Sequence, residues 1–195
     1  MGSVFVVNHV TLDGVMQSPG RAGEDPRDGF AHGGWAQAGN DPVMMRAMAP
    51  AMAADGALLL GRRTFEDFAA YWPAQTDSPF SDVLTRKHKY VASTTLSADP
   101  EWSGSTLVRG DVPQAVHALT DSDGPDLTIL GSGVLLRSLL RDGLIDRWIL
   151  LIHPLILGSG RRMFGDGPPA PLRLTDSVTT STGVIIATYE SGGER

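Results

Sequence analysis

Twice in this chain a short apolar run meets glycine and then becomes an amphipathic helix: ALLLG into RRTFEDFAAYW at 57–72, and LTILGSG into VLLRSLLRDG at 127–143. Phe65, Phe68 and Trp72 keep helical spacing in the first, and Leu135, Leu136, Leu139 and Leu140 form one apolar stripe in the second, with Gly143 placed to stop it. Units of strand, turn and helix need long crossovers, so their strands lie parallel in a sheet covered by helices. VFVVNHV at 4–10 adds a β-branched strand, expected near the centre and running into LDG. KYVAS at 89–93 and STLVR at 105–109 read as further strands, and DVPQAVHAL at 111–119 as a short helix capped by Asp111. Asp41-Pro42 opens another helix, with a kink or an early stop expected at Pro50. RWILLIHPLIL at 147–157 is a strand interrupted by Pro154, and LRLTDSVTTSTGVIIATYE closes as a hairpin. The whole predicts an α/β chain, its sheet mixed and mostly parallel with antiparallel strands at the end. The segment 15–40 has no periodic pattern and reads as one long irregular loop, of the kind that carries function.

With 195 residues, 42% of them hydrophobic, residues 1–195 are expected to form a single domain. A net charge of -6 argues against a broad face for nucleic acid or an anionic membrane. Cysteine is absent, which removes disulfides, thiolate nucleophiles and thiolate-bound zinc. The five histidines have no helix-spaced pair, so no metal site is expected, although folding can bring distant ones together. The start does not read as a signal peptide and no apolar run reaches bilayer length, so the expected location is cytoplasmic.

The pentapeptide ILGSG occurs at 129–133 and again at 156–160. A glycine turn leaving a strand either wraps backbone N–H groups around an anion or simply changes direction. The first copy feeds a helix N-terminus, where unpaired N–H groups and the helix dipole favour negative charge. The second is followed by RRMFGDGPPAP, which cannot be a helix, so it reads as a turn or as a support for a substrate-facing Arg161 or Arg162. GRRTFED at 61–67 makes a second site like the first: Gly61 ends a strand, Arg62 and Arg63 suit phosphate oxygens, and Thr64 starts a helix with its hydroxyl and N–H outward. Thr64 with Asp67 also fits a plain capping box, the lesser reading, and Glu66 with Asp67 places negative charge in the turn an anion would use. Two such strand ends can hold one extended ligand, and a dinucleotide has that shape, although the spacing is not the G-x-G-x-x-G fingerprint.

The motifs VTLDGVMQSPG at 10–20, ALLLGRRTFE at 57–66, LTILGSGVLLRSLL at 127–140 and GLIDRWILLIHPLILGSGRRMF at 143–164 cover most of the chain. With them the chain resembles the dihydrofolate reductase-like superfamily, and within it the bacterial proteins similar to the C-terminal reductase domain of riboflavin biosynthesis. The resemblance implies a three-layer sandwich: a central mixed, mostly parallel sheet flanked by helices, with a C-terminal antiparallel hairpin. It implies NADPH, with Gly61, Arg62, Arg63 and Thr64 at the adenosine phosphates and Ser93 and Thr94 near the 2′-phosphate and adenine ribose. Gly131, Ser132, Gly133, Val134 and Leu135 would form the pyrophosphate turn, with a cis bond or strain at Gly131-Ser132. Asp13, as the catalytic candidate, and Gly14 match the point where the first strand opens toward nicotinamide and substrate. Trp35, with Phe30, would cover the substrate from the long loop. The expected activity is hydride transfer from NADPH to a small heterocyclic or carbonyl compound, similar to the pyrimidine reductase of riboflavin biosynthesis. The alternative is a non-catalytic nucleotide-binding or sensor module of the same fold. A homodimer is expected, and a third reading, a chiefly dimer-forming structural unit, draws on the apolar 147–157 strand, which could pair or pack across a two-fold. Two departures bear on the substrate: the helix from 42 lacks the acid that grips a pterin in folate reductases, and no deaminase domain is present.

Overall fold

The computed structural model describes residues 1–121 and 123–192. In chain order the elements are β1 (Val4–Thr11), α1 (Pro42–Ala53), β2 (Ala57–Gly61), α2 (Arg62–Tyr71), α3 (Pro79–Arg86), β3 (Lys89–Ala92), β4 (Ser105–Val108), α4 (Val112–Thr120), β5 (Leu127–Leu130), α5 (Gly133–Arg141), β6 (Arg147–His153), β7 (Leu172–Thr179) and β8 (Ile185–Ser191). They fall into two compact units, Met1–Phe5 with Ala51–Asp146, and Val6–Pro50 with the chain from Arg147 on.

The first unit is the crossover half. Its strands lie in the order β4-β3-β2-β5, all parallel, with Leu59 opposite both Tyr90 and Ile129 and Gly61 opposite Ala92. Leu58, Leu59, Leu60, Leu127 and Ile129 are essentially sealed from solvent, as continuous apolar runs require when helices cover both faces of a sheet. Leu136 and Leu139 of α5 carry the predicted stripe into the same core. The start of β1 belongs here too: Leu127 donates its N–H to the Ser3 carbonyl at 2.8 Å.

The second unit is the antiparallel half. β1 continues into it, and its order is β1-β6-β8-β7, with β8 antiparallel to both β6 and β7. Trp148, Leu151, Met163 and Val184 form its core. β6 ends at His153, directly before Pro154, rather than continuing to 157, and it is an interior strand rather than the edge strand that the proline suggested. Because β6 has β1 on one side and β8 on the other, it presents no free edge along which a second copy could pair.

Two local expectations change. α1 runs through Pro50 to Ala53, so of the kink or early stop expected there the early stop does not occur. A proline one turn from a helix end forfeits a single i→i−4 bond, which the rest of the helix tolerates. The other change is α3, which its short polar sequence does not single out and which depends on tertiary support. Ser78 caps its N-terminus, accepting from the Ser81 N–H. At its other end the fully buried Lys89 donates from Nζ to the carbonyls of Leu84 (2.8 Å), Thr85 (3.3 Å) and Lys87 (2.7 Å), with the Trp102 ring centroid 4.5 Å away. Orphan C-terminal carbonyls and the negative end of a helix dipole are what a buried ammonium needs. Burial pushes its pKa down to about 8. Replacing Lys89 with Met keeps the apolar stem and strands these carbonyls. The expected cost is about 2 kcal/mol, read as a lower urea midpoint.

Candidate functional site

In the first unit, the parallel register brings the carboxyl ends of β2, β3 and β5 to one edge, which is where open α/β sheets bind ligands. Gly61, Arg62, Arg63 and Thr64 leave β2, Ser93 and Thr94 leave β3, and Gly131 to Leu135 leave β5. All eleven predicted cofactor residues therefore lie along this edge. The two glycine turns touch. Ser132 Oγ accepts from the Gly61 N–H at 2.8 Å and lies 2.9 Å from Thr64 Oγ1, to which it donates. One hydroxyl thus ties together the starts of α2 and α5.

Those two helix starts differ from the others. In α1, α3 and α4 a side chain caps the N-terminus: Asp41 takes the Met44 N–H (2.7 Å), Ser78 that of Ser81 and Asp111 that of Gln114 (3.0 Å). α2 begins after Gly61 and α5 after Ser132, neither with a side-chain cap nor with an acid in the first turn. Their first N–H groups have no helical acceptor and are free to meet an anion. The capping-box alternative for Thr64 is removed, because the helix begins at Arg62 and Thr64 sits inside its first turn, its hydroxyl held by Ser132 rather than pointing outward. Glu66 lies a turn further on, where Arg62 holds it at 3.0 Å. Arg63 is exposed and makes no ion pair among the described residues.

The turn at 131–132 is strained, but not by a cis bond: among the described residues every peptide is trans. Gly131 has φ 60°, and Ser132, a non-glycine, has φ 60° and ψ 50°. Holding a serine in the left-handed region costs about 1–3 kcal/mol, and its bridging bonds are what hold it. Val134 is exposed, whereas the Leu135 side chain is buried, leaving its backbone N–H as the group that could meet a ligand. Ser93 is buried and turns the chain by accepting the N–H groups of Thr95 and Leu96, while Thr94 is exposed.

In the second unit the other ILGSG copy closes around an anion of the chain itself, the Asp13 carboxylate. Its carboxylate accepts from Thr11 Oγ1 (2.6 Å), the Leu157 N–H (3.2 Å) and the Gly158 N–H (2.9 Å). The Thr11 bond above all, with the two backbone bonds, holds its pKa at about 2. Bonded in this way, the Asp13 carboxylate anchors the turn at 157–158. Gly14, at φ 82°, completes the turn by donating to the Thr11 carbonyl. The arginines after this copy are engaged by their own unit: Arg161 with Asp28 at 2.7 Å, and Arg162 through Nε with the Asp13 carbonyl at 2.8 Å.

The long loop is ordered by a residue that the sequence did not single out. The buried Gln17 donates from Nε2 to the carbonyls of Asp25 and Arg27 and accepts the Arg161 N–H at 2.9 Å. Trp35 donates from Nε1 to the Gln17 carbonyl at 2.7 Å and meets the His153 ring edge-on, centroids 5.1 Å apart. His153 in turn contacts His9, Nε2 to Nδ1, at 2.8 Å across 144 residues of sequence. Histidines scattered in sequence and carried on separate strands leave no spacing signal. Among the described residues no three His, Asp or Glu side chains gather as a metal site, and no helix is long and apolar enough to cross a membrane.

A crossover half of parallel strands, an antiparallel closing half and a pair of glycine turns at the parallel edge define the dihydrofolate reductase-like fold. Solved structures with this fold match nearly the whole chain. One from Shewanella sp. PV-4, described under riboflavin biosynthesis, has a TM-score of 0.72 at 20% identity, covering 98% of this chain and 99% of its own. A pyrimidine reductase-like protein from Corynebacterium diphtheriae has a TM-score of 0.67 at 13% identity, covering 99% and 93%. Dihydrofolate reductase from Enterococcus faecalis, complexed with NADP(H), has a TM-score of 0.61 at 14% identity, covering 98% of each chain. Within that class the family model of the RibD C-terminal domain matches residues 3–186, and the chain belongs to this family. It is also 28% identical over 141 residues to the uncharacterized protein YyaP of Bacillus subtilis, covering 70% of this chain and 74% of that protein.

Proposed function

We propose that this protein is an NADPH-dependent reductase transferring a hydride to a small heterocyclic or carbonyl substrate, as a single cytoplasmic reductase domain. The observation that carries the reading is the pair of uncapped helix N-termini at Gly61 and Ser132, tied by one hydroxyl at the carboxyl edge of the parallel strands. Such a pair suits the two phosphate-bearing parts of a dinucleotide, and it stands in a chain of the RibD C-terminal domain family. In this reading Gly131, Ser132, Gly133, Val134 and Leu135 offer backbone N–H groups to the pyrophosphate. Gly61, Arg62, Arg63, Thr64, Ser93 and Thr94 hold the adenosine end. Nicotinamide supplies the hydride when bound, and the protein binds and orients. Asp13 fixes the 157–158 turn, and Gly14 and Trp35 shape the surface that meets substrate.

Arg63 decides between the two nicotinamide cofactors, because Arg62 is already paired with Glu66. Titration of the protein by calorimetry is expected to show NADPH bound more tightly than NADH. Arg63→Glu should weaken NADPH binding about a hundredfold through loss and reversal of a charge-assisted bond to the 2′-phosphate, and leave NADH within about threefold. Equal losses for both cofactors would misplace the 2′-phosphate, and no binding of either would sink the reading.

A further inference from the structure

The sheet of the first unit ends at β4, which has β3 on one side and, among the described residues, no strand on the other. Lys89 donates its N–H to the Gly104 carbonyl at 2.8 Å, and Ser93 donates to that of Val108 at 3.2 Å. Bonds of a parallel pair recur at every second residue, so the N–H and carbonyl groups of Ser105 and Leu107 point away from β3. Four residues is short for an edge strand, and nothing else blunts it: STLV carries no charge and no proline, and its register is regular.

A groove of about 360 Å³ lies beside this strand, lined by residues 106–109, by Ala115, Ala118 and Leu119 of α4, and by Tyr90 of β3. Val116 and Thr120 of α4 are buried in the core, which leaves positions 115, 118 and 119, one helical face, toward the groove. Alanine at two of those three positions makes the room. Thr106, Arg109 and Ala118 are exposed, so the groove is open to solvent. A small molecule would keep much of its surface in water there. An extended chain laid along the strand would instead pair with the outward groups of Ser105 and Leu107 and place alternate side chains over the alanines. Among the described residues no acid lines the groove, and Arg109 supplies its charge. That guanidinium is held loosely, by the Ser97 carbonyl at 3.3 Å and by Asp99 at 3.7 Å, a carboxylate whose side chain is 80% exposed. Such a surface pair contributes little, so an incoming carboxylate can take the guanidinium with two parallel bonds.

We propose that the outer edge of β4, with the face of α4 beside it, docks an extended acidic segment of a partner protein by strand addition. Backbone bonds go to Ser105 and Leu107, a small apolar side chain sits over Ala115 and Ala118, and an acidic side chain meets Arg109. The assignment stands apart from the reductase reading, since no residue proposed for NADPH lines the groove.

Two probes test it on the full chain: a peptide of sequence Val-Thr-Val-Glu-Val, blocked at both ends, and the same peptide N-methylated along its backbone, each added up to about 1 mM. The first should shift the Leu107 amide resonance saturably in 1H–15N spectra and slow its hydrogen exchange, and the second should do neither. No response to the first, or an equal response to the second, overturns strand addition. Ala118→Trp fills the groove from an exposed position and should weaken peptide binding at least about tenfold with an unchanged urea midpoint. Arg109→Glu should weaken it by about as much, with the loss reduced by added salt. Arg109→Glu is also an exposed change, and it carries the test should the tryptophan variant fail to fold. Full affinity in either folded variant overturns the placement. Benzoate is the third probe: shifts as large as those from the peptide would make the groove a small-carboxylate site and overturn the proposal. Light scattering covers the remaining occupant, because a dimer that Ala118→Trp dissociates would give the groove to a second copy of the chain instead.

Discussion

Gly131→Val is expected to weaken NADPH binding by at least about a hundredfold, while Gly158→Val, the same change at the same place in the other ILGSG, leaves it within about threefold. Both glycines hold positive φ, 60° and 73°, so a β-branched residue is strained at either position. Their surroundings separate them. A Cβ on Gly131 would stand 3.2 Å from Thr64 Oγ1 and 3.3 Å from its methyl group, whereas a Cβ on Gly158 meets nothing within 4 Å. Thr64 cannot yield freely, because its hydroxyl is bonded to Ser132, which also holds the Gly61 N–H. Displacing it unties the starts of α2 and α5 and misaligns the N–H groups proposed for the phosphates. Gly158 has a different task, donating to Asp13, so its valine variant should lose stability without losing cofactor affinity. Calorimetric titration beside urea unfolding of both variants separates the two effects. Equal losses of affinity would mean that the first turn has no special relation to the cofactor.

The same pair of glycines shows how far the sequence could be read. Strand, turn and helix at 57–72 and 127–143 were legible because apolar runs without alternation need a sheet covered on both faces, and Phe65, Leu136 and Leu139 duly enter the core. What followed each ILGSG separated a helix start from a turn. Hidden in both cases was the local partner: that the first copy meets Thr64 through Ser132, and that the second closes around Asp13. Such bonds join positions 68 and more than 140 residues apart, and nothing in a linear spacing encodes them. For the same reason the link from Gln17 to Arg161 and the His9–His153 pair escaped notice, whereas α3 was missed because its short polar sequence shows no helical stripe. The helix start expected at Thr64, with its hydroxyl outward, fails for a related cause. Its spacing to Asp67 satisfies the capping pattern, but the strand hands over to the helix at Gly61, three residues earlier.

Gly39→Ala should cost about 2–3 kcal/mol and break the His9–His153 bond, although a single methyl group on a loop residue is ordinarily harmless. The added carbon would stand 2.7 Å from two atoms of the His153 ring and 2.8 Å from a methyl of Val184, closer than any real contact. Neither neighbour can swing away: Val184 is fully buried, and His153 is pinned by His9 on one edge and Trp35 on another. The Gly39 backbone is held as well, its carbonyl accepting from Thr182 Oγ1 at 2.9 Å and its N–H donating to Ala36. Strain therefore has to be relieved by moving the imidazole, and the bond most sensitive to that movement is the 2.8 Å contact with His9. Gly23→Ala is the control from the same long loop, since Gly23 has no positive φ and a Cβ there meets nothing within 4 Å. Urea midpoints should fall for the first variant and hold for the second, and the imidazole nitrogen spectra should change for the first alone. If Gly39→Ala is as stable as the control, the ring is not confined by Gly39, and the contact between the two imidazoles does not depend on the backbone beside it.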